Sequence, residues 1–402
     1  MNIFKKIYCR IFQMTFKIAL PFLPYRKPQI LTSNQEIANL LKQKKCTKPL
    51  IVTDKGLSNL GLAKNLQETL SQNNIEYAVF DETVPNPTTN NIKNAVELYN
   101  SSNCNSIIAF GGGSSMDCAK GVGAQIAKPN KTLAQMKGLL KIRKKLPLLI
   151  AIPTTAGTGS ETTLAAVITD SETHYKYVIN DFNLIPHYAM LDATLTEKLP
   201  KHITSTTGMD ALTHAVEAFI GNTTTPATRK HSLDAVKLIF ENLQEVYNNG
   251  SNLEARQKML HASYLAGLAF TKSYVGYCHA IAHTLGGKYN LPHGLANAII
   301  LPYILKSYGK KIHKKLWKLG TYANLFSKET SYEEGAKLFI EAIENLNKNM
   351  GIENSIPSIQ TEDIETLAKT ADAEANPLYP VPVLFDAKQL EILYHQIKNG
   401  KI

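Results

Sequence analysis

The chain has 402 residues, of which 44% are apolar and 19% are charged, and its formal net charge is +11. This length and composition predict a folded protein with a large core and two domains, and they exclude a disordered chain. The positive charge is not accompanied by a known nucleic-acid-binding module or by a stripe of basic and aromatic residues, so we expect no nucleic acid partner.

Residues 3–24 predict an amphipathic helix that ends at Pro21. One stripe at helical spacing is polar and contains Lys6, Arg10, Gln13 and Lys17. A second stripe is apolar and contains Phe4, Ile7, Ile11, Met14 and Ile18. Charges interrupt the segment too often for a membrane span, and no small-residue cleavage site follows it. We favour packing of this helix on the chain itself or on a neighbouring subunit. Contact with a membrane surface is the second alternative, and a targeting signal is the third.

From residue 50 the pattern alternates between short apolar strands and helical stretches. The predicted strands cover residues 50–54, 77–81, 106–110, 148–152 and 188–192, and a hairpin is predicted from residues 167–170 and 175–179. This alternation predicts a parallel, doubly wound, Rossmann-like sheet that binds its ligands at the carboxyl ends of the strands.

Two polar loops follow strands of this sheet. In the first, Gly111, Gly112 and Gly113 allow close approach of a ligand to the backbone, and Ser114 can begin a helix whose amides point at an anion. Such a glycine-rich turn is weak evidence by itself, because it lacks the G-x-G-x-x-G pattern. The second loop, residues 153–161, is rich in hydroxyl groups that can cap a helix or contact a ligand.

The second half of the chain is predicted to be all-helical. Leu199–Pro200 marks the junction, and beyond it apolar residues recur at spacings of three and four with few β-branched runs. We therefore expect an N-terminal extension at residues 1–28, an α/β domain at 29–199 and a helical domain at 200–402.

Five residues of the helical half have the side chains of metal ligands. Asp210 and His214 are four residues apart, as are His279 and His283, so each pair lies on one helical face. His293 follows between Pro292 and Gly294, in a predicted loop, after a helix that Gly286–Gly287 is expected to end or loosen. A single histidine of this kind is most often a satisfied core residue. As a set, one carboxylate and several imidazoles are typical of a divalent transition-metal site.

Residues 207–219 and 278–294 resemble the two signatures of the iron-containing (group III) alcohol dehydrogenases, and the resemblance extends from about residue 50 to the C-terminus. It implies that the active site lies in a cleft between the α/β and helical domains. The residues that it implies as metal ligands are Asp210, His214, His279 and His293. It places His283 beside the nicotinamide and the substrate, as a catalytic residue that relays a proton or as a structural hydrogen-bond donor.

The same resemblance implies a nicotinamide cofactor bound by the α/β domain. The pyrophosphate is assigned to Gly112, Gly113 and Ser114. Further cofactor contacts are implied for Asn86, Thr154, Thr155, Thr158 and Lys176. Ala165 stands where some members carry a polar contact, which puts one hydrogen bond in doubt. Asp54 matches the ribose position, so we expect NAD(H) to be preferred over NADP(H), although the carboxylate can also simply cap the following turn.

The reaction implied is that of an NAD(P)-dependent, metal-dependent alcohol dehydrogenase or aldehyde reductase. A divalent metal acts as a Lewis acid on the alcohol or carbonyl oxygen while hydride moves to or from the nicotinamide. We expect this metal to be Fe(II), with Zn(II) as the alternative. A lyase of the related dehydroquinate synthase type would need more cations around the metal than Lys288, which is the only Lys or Arg in residues 205–219 and 276–302. A non-catalytic membrane-surface protein would leave the metal-type residues unexplained.

Subunit assembly and location are predicted only in outline. We expect a homodimer or a higher homo-oligomer that acts on a small alcohol or aldehyde. The five cysteines are odd in number, scattered and without a C-x-x-C pair. This argues against a disulfide framework and favours the reducing cytoplasm.

Overall fold

The computed structural model describes residues 1–401, which form two compact units. One unit comprises Pro24–Glu197, and the other combines Met1–Leu23 with the chain from Lys198 onward. None of the helices within residues 1–401 is both long and apolar enough to cross a membrane.

Helix α1 (Ile3–Ala19) begins the chain, and its N-cap is Asn2, whose side chain accepts a hydrogen bond from the backbone of Lys5. The helix packs on the unit that contains Lys198 onward, and it does so through its polar side. Gln13 is buried and donates to the carbonyl of Tyr379 at 2.7 Å. The apolar stripe predicted from the sequence faces away from the protein and is exposed.

Six parallel strands form the central sheet of the α/β unit. Five of them are predicted from the sequence, whereas β1 is not. Their bounds are β1 (Gln29–Leu31), β2 (Pro49–Val52), β3 (Ala78–Phe80), β4 (Ser106–Gly111), β6 (Leu148–Pro153) and β9 (Tyr188–Met190). Their order across the sheet is β1-β9-β6-β4-β2-β3. The predicted hairpin is also confirmed, because β7 (Ala165–Thr169) pairs antiparallel with β8 (Lys176–Asn180). A short strand, β5 (Gly138–Leu139), extends that hairpin into a second sheet of three strands.

Helices cover both faces of the six-stranded sheet. They are α2 (Asn34–Gln43), α3 (Lys55–Asn59), α4 (Lys64–Gln72), α5 (Thr89–Ser101), α6 (Gly113–Ala127) and α7 (Leu133–Met136). Successive residues of β4 enter different cores: Ile107 packs with residues of α5 and α6, whereas Ile108 packs with residues of α2 and α4. The strands are apolar on both faces for this reason. The covering helix changes face between β2 and β4, which is where doubly wound sheets bind ligands.

Beyond Pro200 the described chain is helical, as predicted. The helices are α8 (Lys201–Ile220), α9 (Pro226–Asn248), α10 (Leu253–Ser273), α11 (Tyr277–Tyr289), α12 (His293–Tyr308), α13 (His313–Tyr322), α14 (Tyr332–Asn349), α15 (Ile364–Ala375) and α16 (Ala387–Asn399). Of the two alternatives for Gly286–Gly287, that they end the helix is wrong, because α11 continues to Tyr289 and its C-cap is Asn290 in the left-handed conformation. His293 does not lie in a loop either, because it is the first residue of α12.

Candidate metal centre and nucleotide-binding residues

Helix α8 provides a carboxylate and an imidazole to the interior of the helical unit. Asp210 and His214 are one turn apart and are both buried. His214 Nδ1 lies 3.9 Å from Asp210 Oδ2. The α8 segment around them is buried and mostly apolar, with Thr213 and Glu217 as its other polar residues, so these two polar groups face each other inside a core. Buried polar groups of this kind require polar partners.

Helix α11 adds His279, whose orientation is fixed by Glu217. The Nδ1 atom of His279 lies 2.6 Å from Glu217 Oε2. The same carboxylate accepts hydrogen bonds from the backbone N–H groups of Gly276 and Cys278, at 2.8 and 2.9 Å. Glu217 therefore joins α8 to the first turn of α11. When Nδ1 donates to this carboxylate, Nε2 keeps its lone pair for a metal.

Helix α12 places His293 at its N-terminus, where it approaches α8. His293 Nε2 lies 3.5 Å from Asp210 Oδ1. The next residue, Gly294, makes this approach possible, because a Cβ at that position would lie 2.4 Å from the backbone oxygen of Thr206. Only glycine therefore allows α12 to begin this close to α8.

The structure brings together the four residues that the sequence suggests as metal ligands. One ligand atom from each of Asp210, His214, His279 and His293 lies within 4.8 Å of the others. Three of these atoms also share a neighbour, because Asn297 Nδ2 is 2.8 Å from Asp210 Oδ1, 3.2 Å from His279 Nε2 and 3.1 Å from His293 Nε2. Their lone pairs thus face a common region. Three imidazoles and one carboxylate fit a divalent transition metal.

Burial controls the charge of the groups around this cluster. It lowers the pKa of His279 well below its usual range, and the neighbouring His214 acts in the same direction. Burial also raises the pKa of Glu217 to about 7, although the backbone hydrogen bonds from Gly276 and Cys278 oppose that shift. His279 is therefore neutral near pH 7, which is the form in which histidine binds a metal.

His283 lies beside the cluster but is not one of its four members. Its ring stacks on that of His293, with centroids 5.1 Å apart. Its Nδ1 atom is 2.6 Å from Glu374 Oε1, which also accepts a hydrogen bond from the hydroxyl of Tyr379 at 2.7 Å. Burial raises the pKa of Glu374, but His283, the hydroxyl of Tyr379 and His293 together lower the pKa below its usual value. Glu374 is therefore an ionised partner that fixes the ring of His283.

Three of the residues in this region were missed from the sequence. Glu217 lies three residues after His214, and Asn297 lies four residues after His293, so helical spacing from a predicted ligand is a signal for both. Glu374 gives no such signal, because it is 91 residues from His283.

In the α/β unit, the glycine loop lies between β4 and α6. Gly112 is the N-cap of α6, and the helix begins at Gly113, one residue earlier than the predicted start at Ser114. Gly111 has a φ of +149°, and a Cβ there would lie 2.5 Å from Ser115 Oγ. This position therefore requires glycine. The first amides of α6 are free of a side-chain cap, which is the arrangement that helices use to bind phosphate groups.

The other predicted nucleotide residues surround this loop. A Cβ on Gly112 would meet Thr155 Oγ1 at 3.5 Å, and one on Gly113 would meet Thr158 Cγ2 at 2.9 Å. Thr154 is buried, and its backbone N–H donates to the carbonyl of Gly111.

Asn86 and Lys176 meet on another side of the loop. Lys176 Nζ donates to Asn86 Oδ1 at 2.7 Å, and the backbone N–H of Asn86 donates to Ser114 Oγ at 3.3 Å. Lys176 is the first residue of β8 and Asn86 lies in the segment before α5, so the fold brings distant positions together beside the glycine loop.

Asp54 follows β2 and is the N-cap of α3. Its Oδ1 accepts a hydrogen bond from the backbone of Leu57 at 3.0 Å, and Ser115 Oγ lies 3.5 Å from its Oδ2. The capping role that the sequence left open is therefore present. The next residue, Lys55, is the first residue of α3, so the alternation of side chains along a strand does not apply to this pair.

Comparisons with known proteins identify the family over most of the chain. Residues 30–193 match the family model for iron-containing alcohol dehydrogenase, and residues 204–397 match the model for the C-terminal part of the Fe-containing alcohol dehydrogenase family. The NAD-dependent methanol dehydrogenase of Bacillus methanolicus is 36% identical over 342 residues, which cover 84% of this chain and 89% of the relative. The 1,3-propanediol dehydrogenase of Citrobacter freundii is 35% identical over 370 residues, covering 90% and 95%.

Solved structures show the same similarity in three dimensions. An alcohol dehydrogenase from Oenococcus oeni has a TM-score of 0.88 and 34% identity, and the alignment covers 93% of this chain and 100% of that one. The sulfoacetaldehyde reductase of Bifidobacterium kashiwanohense, solved in complex with NAD+, has a TM-score of 0.82 and 27% identity, with coverages of 93% and 98%.

Proposed function

Because the chain belongs to the iron-containing alcohol dehydrogenase family and is an oxidoreductase of the alcohol dehydrogenase type, we propose that it interconverts a small alcohol and its aldehyde. NAD(H) is the hydride carrier, and a divalent metal is required. The observation that carries the proposal is the convergence of Asp210, His214, His279 and His293 within 4.8 Å.

We assign the metal to these four side chains. With one carboxylate and three neutral imidazoles, the site carries a net positive charge when a divalent ion is bound, which suits Fe(II) or Zn(II). The ion supplies Lewis acidity toward the alcohol or carbonyl oxygen. Glu217 orients the ring of His279 through its Nδ1 atom, and Asn297 contacts the Oδ1 atom of Asp210 directly.

We assign His283 to the exchange of the alcohol proton with solvent. Its side chain is 37% exposed, so it reaches water while its ring stacks on His293. Glu374 accepts from Nδ1 and fixes the tautomer, so Nε2 is the atom that takes up and releases the proton. This role needs no large movement of the ring.

We assign the nucleotide to the α/β unit. The amides at the start of α6, next to Gly112, Gly113 and Ser114, receive the pyrophosphate. Thr154, Thr155, Thr158, Asn86 and Lys176 contribute further hydrogen bonds. Asp54 disfavours the 2′-phosphate of NADP by like charge, and this supports a preference for NAD(H). Its Oδ1 is engaged by the cap, so Oδ2 is the oxygen that faces the ribose hydroxyls in this proposal.

We also propose an oligomeric state and a cellular compartment for the protein. All five cysteines are free and buried, which supports a reducing compartment such as the cytoplasm. A homodimer or a higher homo-oligomer is expected and is measurable by light scattering.

The test is a steady-state assay of the metal-loaded enzyme with a panel of short aldehydes and alcohols, read by NADH absorbance and repeated with NADPH. We expect turnover with at least one substrate pair and a higher kcat/KM for NADH than for NADPH. A His293→Ala control should lose this activity. Net oxidation of neither cofactor with any substrate would contradict the proposal and favour a lyase.

A further inference from the structure

Helix α1 carries an exposed apolar surface that the metal centre and the nucleotide site do not explain. We propose that this surface binds an anionic lipid bilayer, so that α1 lies in the plane of the membrane with its apolar side chains among the acyl chains. The surface, here called the α1 stripe, consists of Ile3, Phe4, Ile7, Tyr8, Ile11, Met14, Ile18 and Phe22.

The α1 stripe is fixed in an outward orientation by contacts on the opposite side of the helix. Lys5 forms an ion pair with Asp372 at 2.7 Å. Arg10 donates to the carbonyl oxygens of Val381 and Pro382 at 2.7 and 2.9 Å. Cys9 is buried on the same side. The helix is therefore attached on this side, and the residues of the α1 stripe are exposed.

The exposure of the α1 stripe is too large for scattered surface residues. Phe4 is 80% exposed, Ile11 is 61%, Ile18 is 63% and Phe22 is 85%. These side chains recur at helical spacing and form one continuous face more than four turns long. Contiguous apolar surfaces of this kind mark interaction sites.

The positive charge around the α1 stripe favours anionic lipid as its binding partner. Residues 1–35 contain six Lys or Arg residues and no Asp or Glu, and Lys5 and Arg10 among them contact the protein itself. Lys6 and Lys17 are exposed and lie on one edge of the stripe. A basic amphipathic helix of this form lies at a membrane interface, with its apolar face in the acyl region and its cations at the headgroups.

A second copy of the chain is a less suitable partner. Two α1 stripes that faced each other would bring Lys6 and Lys17 of both copies to the edges of one interface. Helix α1 contains no acidic residue that could pair with them. Like charges at such an edge are unfavourable, whereas the phosphate groups of anionic lipids neutralise them.

The test is flotation of the full-length protein with vesicles of equal parts phosphatidylglycerol and phosphatidylcholine, and with pure phosphatidylcholine vesicles. We expect binding to the first kind that weakens as salt is raised. Ile7→Ser combined with Ile11→Ser should lower the partition coefficient by at least ~10-fold. Lys6→Gln combined with Lys17→Gln should lower it by about 25-fold, since each cation near the surface contributes about fivefold.

Matched controls separate this effect from a general loss of charge or apolar surface. Leu60→Ser with Ile392→Ser removes two side chains of similar exposure, 70% and 60%, that lie outside the α1 stripe. Lys93→Gln with Lys131→Gln removes two exposed cations of the α/β unit. Both controls should bind like the unmodified protein. All variants should keep their melting temperature, because the replaced side chains are exposed.

Three outcomes would overturn the proposal. The first is that the unmodified protein binds neither kind of vesicle. The second is that the stripe variants and the control variants lose vesicle binding to the same extent. The third is a change of oligomeric state in Ile7→Ser with Ile11→Ser, measured by light scattering without lipid, which would assign the α1 stripe to a second copy of the chain.

Discussion

The replacement Glu217→Gln tests whether the carboxylate between α8 and α11 holds the metal ligands in place. The Oε2 atom of Glu217 accepts hydrogen bonds from His279 Nδ1 at 2.6 Å and from the N–H of Gly276 at 2.8 Å. Its Oε1 atom accepts one from the N–H of Cys278 at 2.9 Å. A glutamine amide has a single acceptor oxygen. In either orientation of the amide, its NH₂ group therefore faces the backbone N–H of Gly276 or that of Cys278.

The cost follows from these contacts. The less costly orientation keeps the amide oxygen on His279 and Gly276 and leaves the N–H of Cys278 unsatisfied. An unsatisfied buried donor costs about 1–3 kcal/mol of folding free energy. Loss of a partner that orients a metal-binding histidine typically lowers metal affinity by about 10–100-fold. We expect both the loss of stability and the loss of metal affinity. The kcat of the variant should fall only when the metal concentration is too low to saturate its site.

The assay is competition for Zn(II) between the protein and a chelator, combined with urea unfolding of the metal-free protein. Thr223→Val is the control, because it removes a buried hydrogen bond to the carbonyl of Ser273 at 3.1 Å and should cost about 1 kcal/mol. The control should keep its metal affinity. An unchanged affinity in Glu217→Gln, or an equal loss in Thr223→Val, would refute the positioning role.

Four further predictions concern single positions. Asp54→Gly should raise the use of NADP(H) relative to NAD(H) by ~10-fold or more, as about 1.4 kcal/mol is a factor of ten, and Asp54→Asn should do so while keeping the cap of α3; kcat/KM for both cofactors is the measurement. His283→Ala should retain the metal and slow turnover by about 100-fold; loss of bound metal would instead make it a ligand. Gly294→Ala should cost about 1–3 kcal/mol in urea unfolding and weaken metal binding, because its Cβ would collide with the backbone of α8. Lys120→Met should cost about 3 kcal/mol, because the buried Lys120 ammonium donates to three oxygens at 2.8–2.9 Å, and an unchanged unfolding midpoint would contradict this.

The pairing of Asp210 with His214 and most of the strands were predictable because their signals are local, whereas the choice of four candidate metal ligands rested on the family resemblance. Asp210 and His214 are one helical turn apart, and β4 is a continuous apolar run, so neither inference needs knowledge of distant contacts. The orientation of α1 was not predictable in this way. Its polar side is attached to the protein because Gln13 and Arg10 reach carbonyl groups of residues 377–382, more than 360 positions away.

The same limit applies to the partner of His283. Glu374 lies on α15, and only the tertiary fold brings it to α11, so the family resemblance implies a role for His283 but no orienting group. The exact start of α12 also depended on packing, since His293 begins a helix where Pro292 and Gly294 favour a loop. Contacts between distant segments thus decide the details that local spacing leaves open.

The central claim is that turnover requires a divalent metal held by Asp210, His214, His279 and His293. The most direct measurement is NADH-linked turnover of one preparation in three states: as purified, after exhaustive chelation, and after return of Fe(II) or Zn(II), with metal content measured in each. We predict that activity disappears with the metal and returns with it in proportion to occupancy. Full activity in protein that contains no metal would contradict the account.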